Sequence, residues 1–257
     1  MLFEREGAEV ELGPTLRKLV TAARFNPSLP YLSFLCINFD APVIKEAASW
    51  FLDGVFLNYN SSYLERMLEQ LLDEAESPEV TRFLRAVDVR IDGFRVEKAP
   101  EWRGQRVFVR HEVDGKAYEL RLSEESAGTQ KLMGLAAYLM TALERGATVV
   151  VDELDAKLHP KLLRYVILLF KDPEVNKSGA QLIFSSQDVS TMRNDVFRRD
   201  EIWFAARGEG EASQLWSLAD IHEANGNLVS KNAAFDKQYL SGRYGADPYL
   251  TRIEEWD

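Results

Sequence analysis

Apolar positions change their spacing several times along this chain, and each change predicts a different element. Between Pro14 and Phe25, Leu16, Leu19, Val20 and Ala23 recur at helical intervals until the Pro27 to Pro30 stretch interrupts them. From Val43 to Phe56 the apolar positions are denser than a one-faced surface helix needs. Leu64, Met67, Leu68, Leu71 and Leu72 then form a stripe opposite Glu65, Arg66, Glu69 and Gln70, too brief for a sustained coiled coil. Residues 1–85 therefore read as a helical subdomain. After Pro78 the period shortens. Val87, Val89, Ile91 and Phe94 alternate with Asp88, Arg90 and Asp92, and Arg106 to Arg110 and Tyr118 to Leu122 predict two more short strands around an Asp114-Gly115 turn. Residues 86–122 are expected to form an antiparallel β region.

From Ser123 to the end, residues 123–257, the pattern becomes α/β. Leu132, Leu135, Ala136, Leu139, Met140 and Leu143 make one apolar face of a helix running from about Gly128 to Leu143. Ala147 to Val151 carries a continuous β-branched run that suits a strand buried on both sides. Pro160 fits the first turn of a second helix, with Leu163, Val166, Ile167 and Phe170 facing inward. Gln181 to Phe184 and Glu201 to Ala205 are later strands, so strand and helix alternate as in a mainly parallel sheet.

Composition narrows the function classes. The 257 residues, 46% hydrophobic, suffice for one sizeable core or two unequal ones. A net charge of -10, from 41 acidic and 31 basic residues, opposes diffuse attraction to a phosphate backbone while leaving room for a local basic groove. Met1 to Glu11 alternates charged and apolar residues and carries no signal-peptide pattern, and no run approaches the roughly 20 apolar residues of a spanning helix. The expectation is a cytoplasmic protein without a transmembrane segment. The single Cys36, among the apolar residues Leu32 to Phe39, reads as a buried thiol.

The chemistry gathers in two places. Asp152 and Glu153 directly follow the Ala147 to Val151 run, where the carboxyl end of a central strand opens onto the ligand crevice of an α/β sheet. An Asp there can hold a magnesium shell, and the adjacent Glu can orient or deprotonate an attacking water. An acidic pair after an apolar run also suits a plain solvated strand end. Upstream, Ser126-Ala127-Gly128-Thr129-Gln130 lies at a helix start, where hydroxyls, a glycine and free amide groups can surround an anion. A simple N-cap would equally favour Ser126.

Taken together, these segments resemble ABC ATPases. Leu122 to Gln130 looks like a variant signature motif, Thr148 to Glu153 like a Walker B strand with its glutamate, and Leu154 to His159 like the D-loop. Glu125-Ser126-Ala127-Gly128-Thr129, the run from Asp152 through Pro160, Gln181 to Asp188 and Phe197 to Phe204 more closely resemble the prokaryotic AAA15/AAA21 family of ABC-like ATPases associated with abortive infection and phage defence. The likeness extends into Tyr239 to Gly245. It implies an incomplete ABC-type P-loop NTPase fold with a helical subdomain, using ATP and Mg2+ in a head-to-tail homodimer. In such a dimer Ser126, Ala127, Gly128 and Thr129 would reach the γ-phosphate held by the other subunit. Asp152 would coordinate magnesium through water, Glu153 would polarise the hydrolytic water, and Asp155 and His159 would cross the interface. The implied partner is a defence or DNA-damage effector, such as a nuclease.

Two departures stand against the family pattern. Gln187 occupies the position of the usual switch histidine, and a Gln can hydrogen-bond a phosphate oxygen or water without becoming a cation. Furthermore, no GxxxxGK[ST] run occurs, and neither Gly104-Gln105-Arg106 nor Gly179-Ala180-Gln181 replaces it. The expectation is that Met1 lies inside a longer coding sequence or that a separate chain supplies the Walker A lobe, and that the isolated chain turns over little ATP. A noncatalytic interaction protein with an ATPase-like surface is the competing reading. His111, His159 and His222 are too dispersed to mark a metal site, Ser185 and Ser186 lack a nucleophile elbow, and Phe197 to Asp200 suits a partner or phosphate contact but reads first as a positive helix end before the Ile202 to Phe204 strand.

Overall fold

A computed structural model of the chain describes residues 2–20, 25–58, 78–87, 91–98, 105–207, 212–223 and 226–246. The alternating N-terminal residues pair as a hairpin, β1 (Phe3–Glu6) against β2 (Glu9–Leu12), with Phe3 opposite Leu12. The helix expected from Pro14 is a single turn, α1 (Pro14–Arg17), and residues 21–24 lie outside the described set. Then α2 (Tyr31–Asn38) and α3 (Pro42–Asp53) follow. Leu16, Tyr31, Phe34, Leu35, Ala41 and Ile44 close a small core beneath the hairpin.

Two expectations are corrected in this region. Cys36 is exposed, because the turn of α2 that directs Tyr31, Phe34 and Leu35 inward carries Cys36 and Ile37 to the opposite side. The apolar run through Phe56 is not one helix either. It breaks at Gly54, where a Cβ would lie 2.6 Å from the Trp50 carbonyl oxygen, and continues as a strand, β3 (Val55–Asn58). The leucine stripe from Leu64 to Leu72 falls outside the described residues.

Next, α4 (Pro78–Ala86) keeps Val87 in its final turn, buried, so the strand expected from Val87 starts later, as β4 (Gly93–Lys98). With β5 (Gln105–Val113) and β6 (Lys116–Arg121) it makes an antiparallel meander. Asp114 and Gly115 adopt φ values of 52° and 72°, the positive pair that a two-residue hairpin turn demands.

The remaining elements carry the main core. They are α5 (Ala127–Arg145), β7 (Thr148–Val151), α6 (Pro160–Lys171) and β8 (Gln181–Phe184). The sheet order is β3-β7-β8, all parallel, so the strand from the N-terminal part of the chain lies beside β7. Leu132, Leu135, Leu139, Val149, Val151, Leu163, Val166 and Ile167 pack here with Leu84, Phe94 and Val109 from α4 and the meander. Burying a Leu such as Leu135 or Leu139 stabilises by roughly 1.5–3 kcal/mol, which explains why α5 is fixed against the sheet. Past β8, β9 (Trp203–Arg207) pairs antiparallel with β10 (Ser213–Ser217) in a separate ribbon. The last helix among the described residues, α7 (Phe235–Leu240), and Tyr244 cover that ribbon, with Tyr239 stacked on Phe204 at 5.7 Å. Among the described residues, no helix is long and apolar enough to cross a membrane.

Candidate functional site

The parallel sheet delivers Asp152 and Glu153 to its carboxyl edge as exposed side chains. Ser185, at the matching end of β8, ties the two together. Its hydroxyl donates to Asp152 Oδ1 at 2.5 Å and accepts the Glu153 N–H at 2.8 Å, while its carbonyl accepts the Leu154 N–H at 3.0 Å. Glu153 has φ 49°, the left-handed region, which costs a non-glycine residue on the order of 1–3 kcal/mol. The bonds from Ser185 and the fully buried Leu154 side chain offset that cost and hold the turn. One residue on, Asp155 Oδ1 accepts the main-chain N–H of Gln187 at 3.2 Å, so the loop after β7 and the loop after β8 are fastened at two successive points.

The signature-like segment meets the same loop from the other side. Ser126 caps α5, its Oγ accepting the Thr129 N–H at 3.1 Å and lying 2.8 Å from Thr129 Oγ1. The N-cap interaction expected of Ser126 is therefore present. The first-turn amides of this 19-residue helix also carry the positive end of its dipole, suited to an anion. Gly128 is required by close approach, since a Cβ there would lie 2.9 Å from the Lys157 carbonyl oxygen. Lys157 itself is left-handed, with φ 64°. Three residues after Gly128, the Lys131 ammonium donates to the Glu153 carbonyl at 2.6 Å. Burial lowers the Lys131 pKa from its ordinary value, against the attraction of Asp155 and Glu153. Ser126, Ala127, Gly128, Asp152, Glu153, Asp155 and Gln187 thus belong to one connected patch.

His159 stands at the far end of that loop. Its Nδ1 accepts the Lys161 N–H at 3.1 Å, capping α6, and this local bond accounts for its orientation without a nucleotide. The Arg198 and Arg199 side chains are spent within the chain, Arg198 on Asp200 and Glu201 and Arg199 on the Val229 carbonyl. The helix end expected there is a short 3-10 turn, Arg199–Glu201, because the pairs between Arg198 and the two acids close a single turn.

Two participants escaped the sequence reading. Ser185 lies in the family-like Gln181 to Asp188 segment and lacks a nucleophile elbow, and its position just past β8, level with Asp152, is the signal that it serves as a bridge. Lys131 sits on the polar edge of an otherwise apolar helix, where charge normally means solvent. Its contact with a loop distant in sequence has no local signal.

A magnesium nucleotide fits this donor set in part. Among the described residues no group of three or more His, Cys, Asp or Glu side chains could hold a metal, so magnesium here would rely on Asp152, water and phosphate oxygens, as that ion commonly does. The exposed carboxylate of Asp152 and the free amides of α5 suit that arrangement. The amide cradle and lysine of a phosphate loop are not among these residues.

Residues 25–193 match the family model described as "AAA domain, putative AbiEii toxin, Type IV TA system". The chain belongs to this AAA family. Both the signature-like segment and the Asp152-Glu153 turn of this ABC-like AAA domain lie inside the matched range. No curated protein matches the sequence at a significant level. Among solved structures the AAA domain is similar to one from "Structural biochemistry of ATP-driven dimerization and DNA stimulated activation of SMC ATPases", with 17% identity and a TM-score of 0.40 over 62% of this chain and 89% of that one. It is also similar to an Smc head domain with coiled coil and joint from Pyrococcus yayanosii, at 16% identity and a TM-score of 0.40, covering 60% of this chain and 28% of that chain. A further likeness is to an SmcHead bound to the C-winged helix domain of ScpA, at 13% identity and a TM-score of 0.38, covering 64% and 55%.

Proposed function

We propose that this AAA domain is the hydrolytic half of an ABC-like ATPase that acts on magnesium-ATP in a head-to-tail assembly, and that its nucleotide cycle controls a defence or DNA-damage effector. The observation that carries the reading is the bridge from Asp152 through the Ser185 hydroxyl to the Glu153 amide. It fixes the exposed turn at the end of the parallel sheet from which Asp152 and Glu153 project, the two carboxylates read here as metal-binding and water-orienting. In this reading Asp152 binds magnesium through water, Glu153 polarises the attacking water and Gln187 contacts it or the γ-phosphate. Ser126 to Thr129 would sense the γ-phosphate held by the opposing subunit.

The missing cradle would be added at β8. Among the described residues β8 is an edge of the three-stranded sheet, and Ile183 is 57% exposed in a strand type that is ordinarily covered on both sides. A parallel strand carrying a phosphate loop, paired there, would bring its loop next to Ser185 and Asp152. ATP would favour the closed assembly and hydrolysis would reset it.

The test combines the chain with a Walker A lobe, fused or supplied separately, and measures association by analytical ultracentrifugation with ATP, ADP and no nucleotide. The expected result is association favoured by ATP over ADP and weakened by Ser126→Arg. Equal populations in all three conditions would remove the reading.

A further inference from the structure

The segment that presents Ser126 is anchored from outside the ATPase loops, by a histidine on the antiparallel meander. On β5, Val107, Val109 and His111 alternate onto the same face. Val109 is fully buried in the main core, so His111 continues an apolar row with a polar side chain. Its Nε2 lies 2.6 Å from Glu125 Oε1. The His111 and Glu125 side chains are only 20% and 10% exposed, compared with 29% and 26% for the Lys171 and Glu201 pair. Glu125 immediately precedes Ser126. Its main chain is also fixed, its N–H donating to the Leu122 carbonyl at 3.2 Å and its carbonyl accepting from Gln130 Nε2 at 2.7 Å. The residue before the α5 cap is therefore held by side chain to the meander and by backbone to the helix.

We infer that His111 is a positioning residue for the γ-phosphate-sensing segment, acting through Glu125 to fix the conformation in which Ser126 caps α5 and offers its hydroxyl. This rests on the reading of Ser126 as a sensor. The physical basis is geometric. An ionised Glu125 only accepts hydrogen bonds, so the ring nitrogen facing it carries the proton in either charge state of the imidazole. A buried, charge-assisted bond of this kind is worth more than a neutral one, and losing the donor leaves a poorly solvated carboxylate beside Ser126.

Hydrogen exchange on the full chain tests this without nucleotide. His111→Ala should raise exchange at the hydrogen-bonded amides of Glu125, Thr129 and Gln130 about tenfold, the effect of losing a bond of this strength, while β7 and β8 keep their protection. His111→Gln reaches the same point with an N–H donor and should restore most of the protection, which a merely space-filling histidine would not require. Should His111→Ala fail to fold, Glu125→Ala approaches the same bond from the other side and must loosen the same amides. Unchanged exchange at Glu125, Thr129 and Gln130 in a folded variant, or no rescue by Gln, would overturn the inference. The sensor reading fails separately, if Ser126→Arg leaves ATP-dependent association intact.

Discussion

The Lys131 ammonium donates to the Glu153 main-chain carbonyl at 2.6 Å, so the signature-like helix and the turn after β7 are joined within one chain. This bond sits on the back of the left-handed residue whose side chain is proposed to orient water. In the proposed cycle, a shift of α5 would therefore reach Glu153 through this bond.

Lys131→Met keeps most of the side chain's length and removes the donor. The expected cost is about 0.5–1.5 kcal/mol, because the exposed Glu153 carbonyl can turn to water and a partly buried charge is released. Urea unfolding measures that cost. Hydrogen exchange at Leu154 should rise with it, because its amide bond to the Ser185 carbonyl closes the same turn. Unchanged exchange at Leu154 would mean that Ser185 alone fixes Glu153.

Gly128→Ala tests the contact between the helix start and the D-loop-like segment. A methyl group 2.9 Å from the Lys157 carbonyl oxygen forces backbone to move, at a cost of about 1–3 kcal/mol. A falling denaturant midpoint with an unchanged slope is expected. A neutral substitution would show that the two segments separate freely.

Much of this was legible in the pattern of residues, and the exceptions have physical causes. The helices α5 and α6 and the strands β7 and β8 lie where their apolar positions put them. β3 was hidden because a four-residue buried strand following an apolar helix shows no change of period, and only Gly54 marks the break. Cys36 was misread because neighbouring apolar residues do not share one helix face. The places of Asp152, Glu153 and Ser126 at element ends were legible. The roles of Lys131, Ser185 and the His111 to Glu125 bond were not, since each joins segments whose proximity only the fold creates.

The C-terminal cover has its own signature in pH. The Tyr244 hydroxyl donates to Gln238 Oε1 at 2.7 Å, and burial pushes its pKa up from 10.0 to about 12. A raised folded pKa means that the contribution to stability is full below pH 10.0 and is lost as pH rises through about 12. The loss reaches at most ~2.7 kcal/mol, two units at 1.36 kcal/mol each. Tyr244→Phe should cost about 1 kcal/mol at neutral pH and flatten this alkaline decline relative to wild type. Parallel stability curves for the two proteins would contradict the assignment.

The central claim, that Glu153 is the water-orienting carboxylate, is tested most directly by single-turnover hydrolysis with Glu153→Gln in an assembly supplied with a phosphate loop. The amide keeps the side chain's length and can still hold water, but it cannot accept a proton as a carboxylate does. Magnesium-ATP affinity and ATP-favoured closure should persist while product formation falls roughly 100-fold to 10,000-fold. Turnover close to wild type, with folding and nucleotide binding intact, would contradict the account and move the role to another residue.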